Sequence, residues 1–133
     1  MVIDEQTLEA LIVNRYEVMA GSARELQRAV AQEIARLPQQ PAESVLKVAR
    51  RWMHRDADKV PSWASHSLEQ ARAVLPDADT MVRMREELRQ LWLSTHRSRD
   101  QLASDLQAWC RKAEDSGVAA LQEFSLRLRM ARL

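Results

Sequence analysis

Between a few clusters of turn-forming residues, apolar positions recur along this chain at steps of three and four, the period of an α-helix with one face turned inward. Every segment reads as helix. In the first, Leu8, Ile12, Tyr16, Met19, Ala23, Leu26, Val30, Ile34 and Leu37 form the inward stripe, with Asp4 placed to cap the free amides and Pro38 and Pro41 ending the run. A single helix over 5–37 would be about 50 Å long, whereas a globule of this length has a radius of gyration of about 14 Å. Either it kinks at Ala20-Gly21-Ser22, or it projects and pairs with something.

The second helix opens at Pro41, a residue suited to the first helical position, and turns Val45, Val48, Ala49 and Trp52 inward. A shorter helix over Ser65–Leu75 carries Leu68, Ala71 and Leu75. Asp77 caps a fourth, with Met81, Met84, Leu88, Leu91 and Thr95 in step. Ser98-Arg99-Asp100-Gln101 reads as a capping box that opens the fifth, whose inner face holds Leu102, Leu106, Trp109 and Ala113. Ser116-Gly117 breaks it, and the last helix, 118–132, turns Leu121, Phe124 and Leu128 inward and carries Arg127, Arg129 and Arg132 near its carbonyl end, where positive charge opposes the helix dipole. The expectation is an all-α antiparallel bundle of five or six helices with a long first helix.

Composition narrows the class further. A chain of 133 residues fits one helical domain spanning 1–133 and buries roughly two-thirds of its unfolded surface, so it needs no disulfide or metal to hold a core. Two glycines rule out phosphate-cradling loops. The single Cys110 builds no disulfide framework and points to a reducing compartment. No apolar run is long enough to cross a bilayer, and acidic Asp4 and Glu5 stand where a cleavable signal would be positive. A net charge of +1, from 20 basic and 19 acidic residues, argues against a dedicated nucleic-acid binder.

The candidate chemistry is sparse. His54, His66 and His96 lack the spacing of metal ligands and read as surface or helix-end groups. Cys110 has Arg111 and Lys112 beside it, which could lower a thiol pKa, but no base can be assigned to it and it reads as a small core thiol. Of the tryptophans, Trp52, Trp92 and Trp109 fall on or beside core faces, and Trp63, in the Pro61-Ser62-Trp63 connection, is expected to be exposed. Lys47, Arg50, Arg51, His54, Arg55 and Lys59 make the polar side of the second helix basic, either a solvated face or a contact for lipid headgroups, phosphates or a partner. Nothing here assembles a catalytic site.

Two stretches carry a family resemblance. Ile3 to Ala20, with its Asn14-Arg15-Tyr16-Glu17-Val18-Met19 core, resembles the segment that follows the catalytic region of proteobacterial fatty acid (acyl-CoA) desaturases. Leu88-Arg89-Gln90-Leu91-Trp92, Leu106 to Phe124 and Leu126-Arg127-Leu128-Arg129 resemble the end of those enzymes. The resemblance implies a soluble C-terminal extension at the cytoplasmic face of the inner membrane, serving assembly, docking or regulation beside its own membrane catalytic domain. The residues themselves add candidate partners: an anionic membrane surface for the basic face of the second helix, or a second copy paired along the long first helix, with nucleic acid not expected of a nearly neutral chain. The parent's two irons sit in histidine boxes that this chain lacks, so no cofactor and no catalytic residue carries over.

The last two helices also resemble the helical insertion of insertion-sequence transposases of the acidic-triad class. They share its series of Trp109, Ala113-x-x-Ser116-Gly117, Leu121-x-x-Phe124 and Leu-Arg. The Asn14-to-Met19 stretch and the Trp109-Cys110 pair favour the desaturase. A stand-alone helical interaction protein is the third reading.

Overall fold

The computed structural model describes residues 3–94 and 96–131; Thr95 and Arg132, which the pattern assigns to helix ends, lie outside the described residues. It is all-α, with seven α-helices and no strand among the described residues, where the pattern predicted five or six helices. They are α1 (Glu5–Val13), α2 (Arg15–Ala35), α3 (Glu43–Trp52), α4 (Ser65–Val74), α5 (Pro76–Leu93), α6 (Arg99–Glu114) and α7 (Ala119–Arg129), with short 3-10 turns at Ala57–Lys59 and Ser62–Ala64. The chain divides into two compact units. One takes the chain up to Ser22 together with the stretch from Met84 onward, and the other is Ala23–Arg83.

In the first unit the long opening helix is interrupted, but at Asn14 and not at Gly21. Asn14 leaves helical geometry (φ −102°, ψ 21°), and its side-chain amide donates to the Ala10 carbonyl at 2.8 Å while Arg15 donates to Ile12 O at 2.9 Å. A short amide side chain competing for helix carbonyls is a known breaker. The interruption resets the buried stripe: Leu8 and Leu11 precede Val18, and Tyr16, expected inside, is 77% exposed. Gly21 stays helical. Beside it Ser22, buried, donates to Met19 O at 2.7 Å and accepts from Arg85 Nε at 3.0 Å.

Two caps in this unit follow the sequence. Asp4 accepts from Thr7 N at 2.7 Å, and Ser98 accepts from Gln101 N at 3.1 Å. The capping box is only half made, because the Gln101 side chain bonds forward to Asp105 at 2.9 Å. Arg99, at the first turn of α6, bonds Glu5 at 2.9 Å and Glu9 at 2.7 Å on α1. α6 and α7 pack as an antiparallel hairpin, in which Ser125 reaches Cys110 O while Arg129, further along, reaches back to Gln107. Its corner is Gly117, whose φ of +76° suits a residue without a side chain. Leu106, Trp109, Ala113, Leu121, Phe124 and Leu128 are buried as the pattern predicted.

In the second unit α3 packs on α4, and each buries one alanine completely, Ala49 and Ala71. α3 begins at Glu43 and not at Pro41, with Ala42 as the residue before the helix. The start of α5 also departs from expectation. Pro76 is its first residue, and its exposed amides are capped by the Glu33 carboxylate, which accepts from Asp77 N at 3.1 Å and Ala78 N at 2.9 Å. Asp77 itself is not the cap.

Candidate functional site

Of the six basic residues that the sequence groups on one helix, the structure keeps Lys47, Arg50 and Arg51 on α3. His54 and Arg55 fall in the turn after it, and Lys59 ends the first 3-10 turn. Lys47, Arg50, Arg51, Arg55 and Lys59 are exposed, and His54 is half-buried. The inward face is apolar and covered, with Val45, Leu46, Val48 and Ala49 all buried. This is the physical reason the three cations of α3 share a side: at 3.6 residues per turn, positions 47, 50 and 51 lie opposite that apolar stripe.

Few of these charges are neutralised. Arg50 faces Glu43 at 3.8 Å with both side chains more than half exposed, an arrangement that contributes little. No carboxylate pairs with Lys47, Arg51, Arg55 or Lys59 among the described residues. The Arg51 guanidinium lies 5.1 Å from the centre of the Trp52 ring, and Trp52 meets Trp63 edge to face, with centroids 6.1 Å apart at 84°. Trp63 is 68% exposed, as its connecting segment suggested. The sequence places Trp52 on a core face and gives no sign of this pairing, because the two rings are brought together only by the turns between them.

The other candidates resolve into structure. Burial pushes the Cys110 thiol above its ordinary value, against smaller opposing effects of Ser125 and Arg129, so its neighbouring cations do not activate it. Around it Arg129 donates to Glu114 at 2.6 and 3.0 Å and to Gln107 Oε1 at 2.8 Å. Ser125 adds a 2.7 Å bond to Glu114. Arg129 lies in the last turn of α7, where the sequence places it against the helix dipole, and is also the centre of this clasp. An open groove of about 270 Å³ beside α6 is lined by Glu87, Asp105, Trp109 and Lys112 among others. Its charges are already satisfied, Lys112 by Glu87 at 2.6 Å and Asp105 by Arg97 at 2.7 Å. Among the described residues no group of three or more His, Cys, Asp or Glu could hold a metal ion, and no helix is long and apolar enough to cross a membrane.

No curated protein and no solved structure matches the chain. Residues 8–132 match a family described as transposase, the ISL3 type of the DDE class. The match falls on the transposase resemblance of the last two helices and extends it over nearly the whole chain; the desaturase resemblance gains no support from it. By this match, the chain belongs to the ISL3-type DDE transposase family.

Proposed function

We propose that this chain serves an ISL3-type transposase as a helical module that grips DNA while the chemistry is done elsewhere. The observation that carries the reading is a transposase match over residues 8–132 on a chain whose described residues form seven α-helices and no strand. The acidic triad of the class needs carboxylates converging on metal ions. Among the described residues no three carboxylates come together as such a centre needs, and they serve caps and ion pairs instead, such as Glu33 at α5 and Glu114 with Arg129. No reaction step is therefore assigned to this chain.

What remains is electrostatic holding. Exposed cations without carboxylate partners release counterions when they meet phosphates, whatever the net charge of the whole chain. Binding to duplex DNA followed by fluorescence anisotropy tests this. Affinity should fall by about tenfold or more between about 50 and 200 mM salt for a few phosphate contacts. Binding that is absent, or indifferent to salt, overturns the reading.

A further inference from the structure

We infer that the outer face of α3, with the turn that follows it, is a contact surface for single-stranded nucleic acid, in which Trp63 stacks on a base and Lys47, Arg51, Arg55 and Lys59 meet the phosphates. Nucleic acid as the ligand class rests on the transposase reading; the preference for a single strand comes from the surface itself.

Three features of the surface lead there. Over residues 43–63 the chain carries five Lys and Arg against three Asp and Glu, so the local charge is positive where the whole chain is nearly neutral. Glu43 is the one acidic residue of the three on α3, and it faces Arg50 loosely at 3.8 Å, while Asp56 and Asp58 sit in the turn. Second, the indole of Trp63 is 68% exposed yet held, because Trp52 braces it edge to face and Arg51 covers Trp52. A large apolar ring kept in water, braced by a second ring that carries Arg51 on its face, is the arrangement of a stacking platform. Duplex DNA covers its base faces, so such a platform gains most from unpaired bases.

Third, the geometry disfavours a lipid surface. A helix lying on a membrane inserts its apolar face among the acyl chains. In α3 that face is Val45, Leu46, Val48 and Ala49, all buried within the protein. Trp63 alone is a small anchor.

The test uses the full chain and three probes: a short labelled oligothymidine, a duplex of the same length, and vesicles of phosphatidylserine and phosphatidylcholine. The single strand should bind about tenfold more tightly than the duplex, and Trp63→Ala should remove about that factor on the single strand while leaving duplex binding unchanged. Trp63→Phe, which keeps a ring, should retain most of it. Replacing Lys47, Arg51 and Arg55 together by Ala should weaken both and reduce the slope of log affinity against log salt by about two. Circular dichroism confirms that each variant is folded. If the chain binds both DNAs but Trp63→Ala changes nothing, or the duplex wins, this inference fails and the transposase reading stands. Absence of binding to either DNA at low salt overturns that reading and this inference together, and vesicle binding without DNA binding assigns the surface to lipid.

Discussion

Arg129 closes a two-pronged ion pair with Glu114, Nε to Oε2 at 2.6 Å and Nη2 to Oε1 at 3.0 Å, and so ties the end of α7 to the end of α6. The arginine side chain is 8% exposed and the glutamate 36%, so water screens one partner. Replacing Arg129 by Met should therefore cost about 1–2 kcal/mol, below the loss expected of a fully buried pair. The Arg129 guanidinium, helped by the Ser125 hydroxyl, holds the Glu114 carboxyl below its ordinary value of 4.5. A carboxyl depressed in the folded state contributes stability above its unfolded pKa and loses it as pH falls through the folded value. Urea unfolding should show wild type more stable than Glu114→Gln at pH 7, with the gap closing below about pH 4. A gap that persists at low pH would show that the pair is not its source.

Glu33 reaches 44 residues along the chain to cap α5. Its two oxygens each take one backbone N–H, which are donors that the helix itself leaves unpaired. Glu33→Ala should destabilise the chain by about 1 kcal/mol, and Glu33→Gln by less because one acceptor remains. Thermal unfolding of the two variants checks the order; equal losses would mean that α5 does not depend on this carboxylate.

Much of the fold is legible in the sequence because the helices are bounded by residues whose local chemistry is unambiguous. Asp4, Ser98 and Gly117 act through their own backbone or the next turn, so they can be read without knowing the fold. The misses are positions where a distant or competing partner decides. Asn14 breaks the first helix by bonding Ala10 O, while Gly21, the more obvious weak point, stays helical. Glu33 displaces Asp77 as the cap of α5 because tertiary structure delivers it there. At the candidate site the basic stripe of α3 followed from periodicity, but its aromatic half did not. Trp52 and Trp63 are eleven positions apart, and only the turns between them bring the rings to 6.1 Å.

Gly117 isolates a backbone effect. A side-chain carbon added there would meet nothing within 4 Å, so any cost of Gly117→Ala is conformational. At φ +76° an L-residue other than glycine should lose about 1 kcal/mol, and Gly117→Asn less. Chemical denaturation with an unchanged slope is the expected signature. A neutral Gly117→Ala would mean that the α6–α7 corner shifts to a different turn.

Cys110 should be inert in the folded chain. It is 0% exposed and its thiol is pushed up by burial, so a disulfide reagent at neutral pH should label it at least roughly a thousandfold more slowly than in urea. Labelling at the rate of a free thiol would mean that α6 and α7 part readily in solution.

Trp109 combines packing with a directed bond, and two substitutions separate them. Its indole N–H donates to Met84 O at 2.8 Å, and its ring meets Phe124 at 6.0 Å, inclined by 72°. Trp109→Phe keeps a ring but removes the donor, and should cost about 1–2 kcal/mol. Trp109→Ala also empties a core position that is 5% exposed, and should cost about 3–5 kcal/mol. Unfolding in urea, followed by circular dichroism so that the missing tryptophan does not alter the signal, measures both. If the two variants lose equally, the hydrogen bond and not the packing anchors α6 to the Met84 turn of α5.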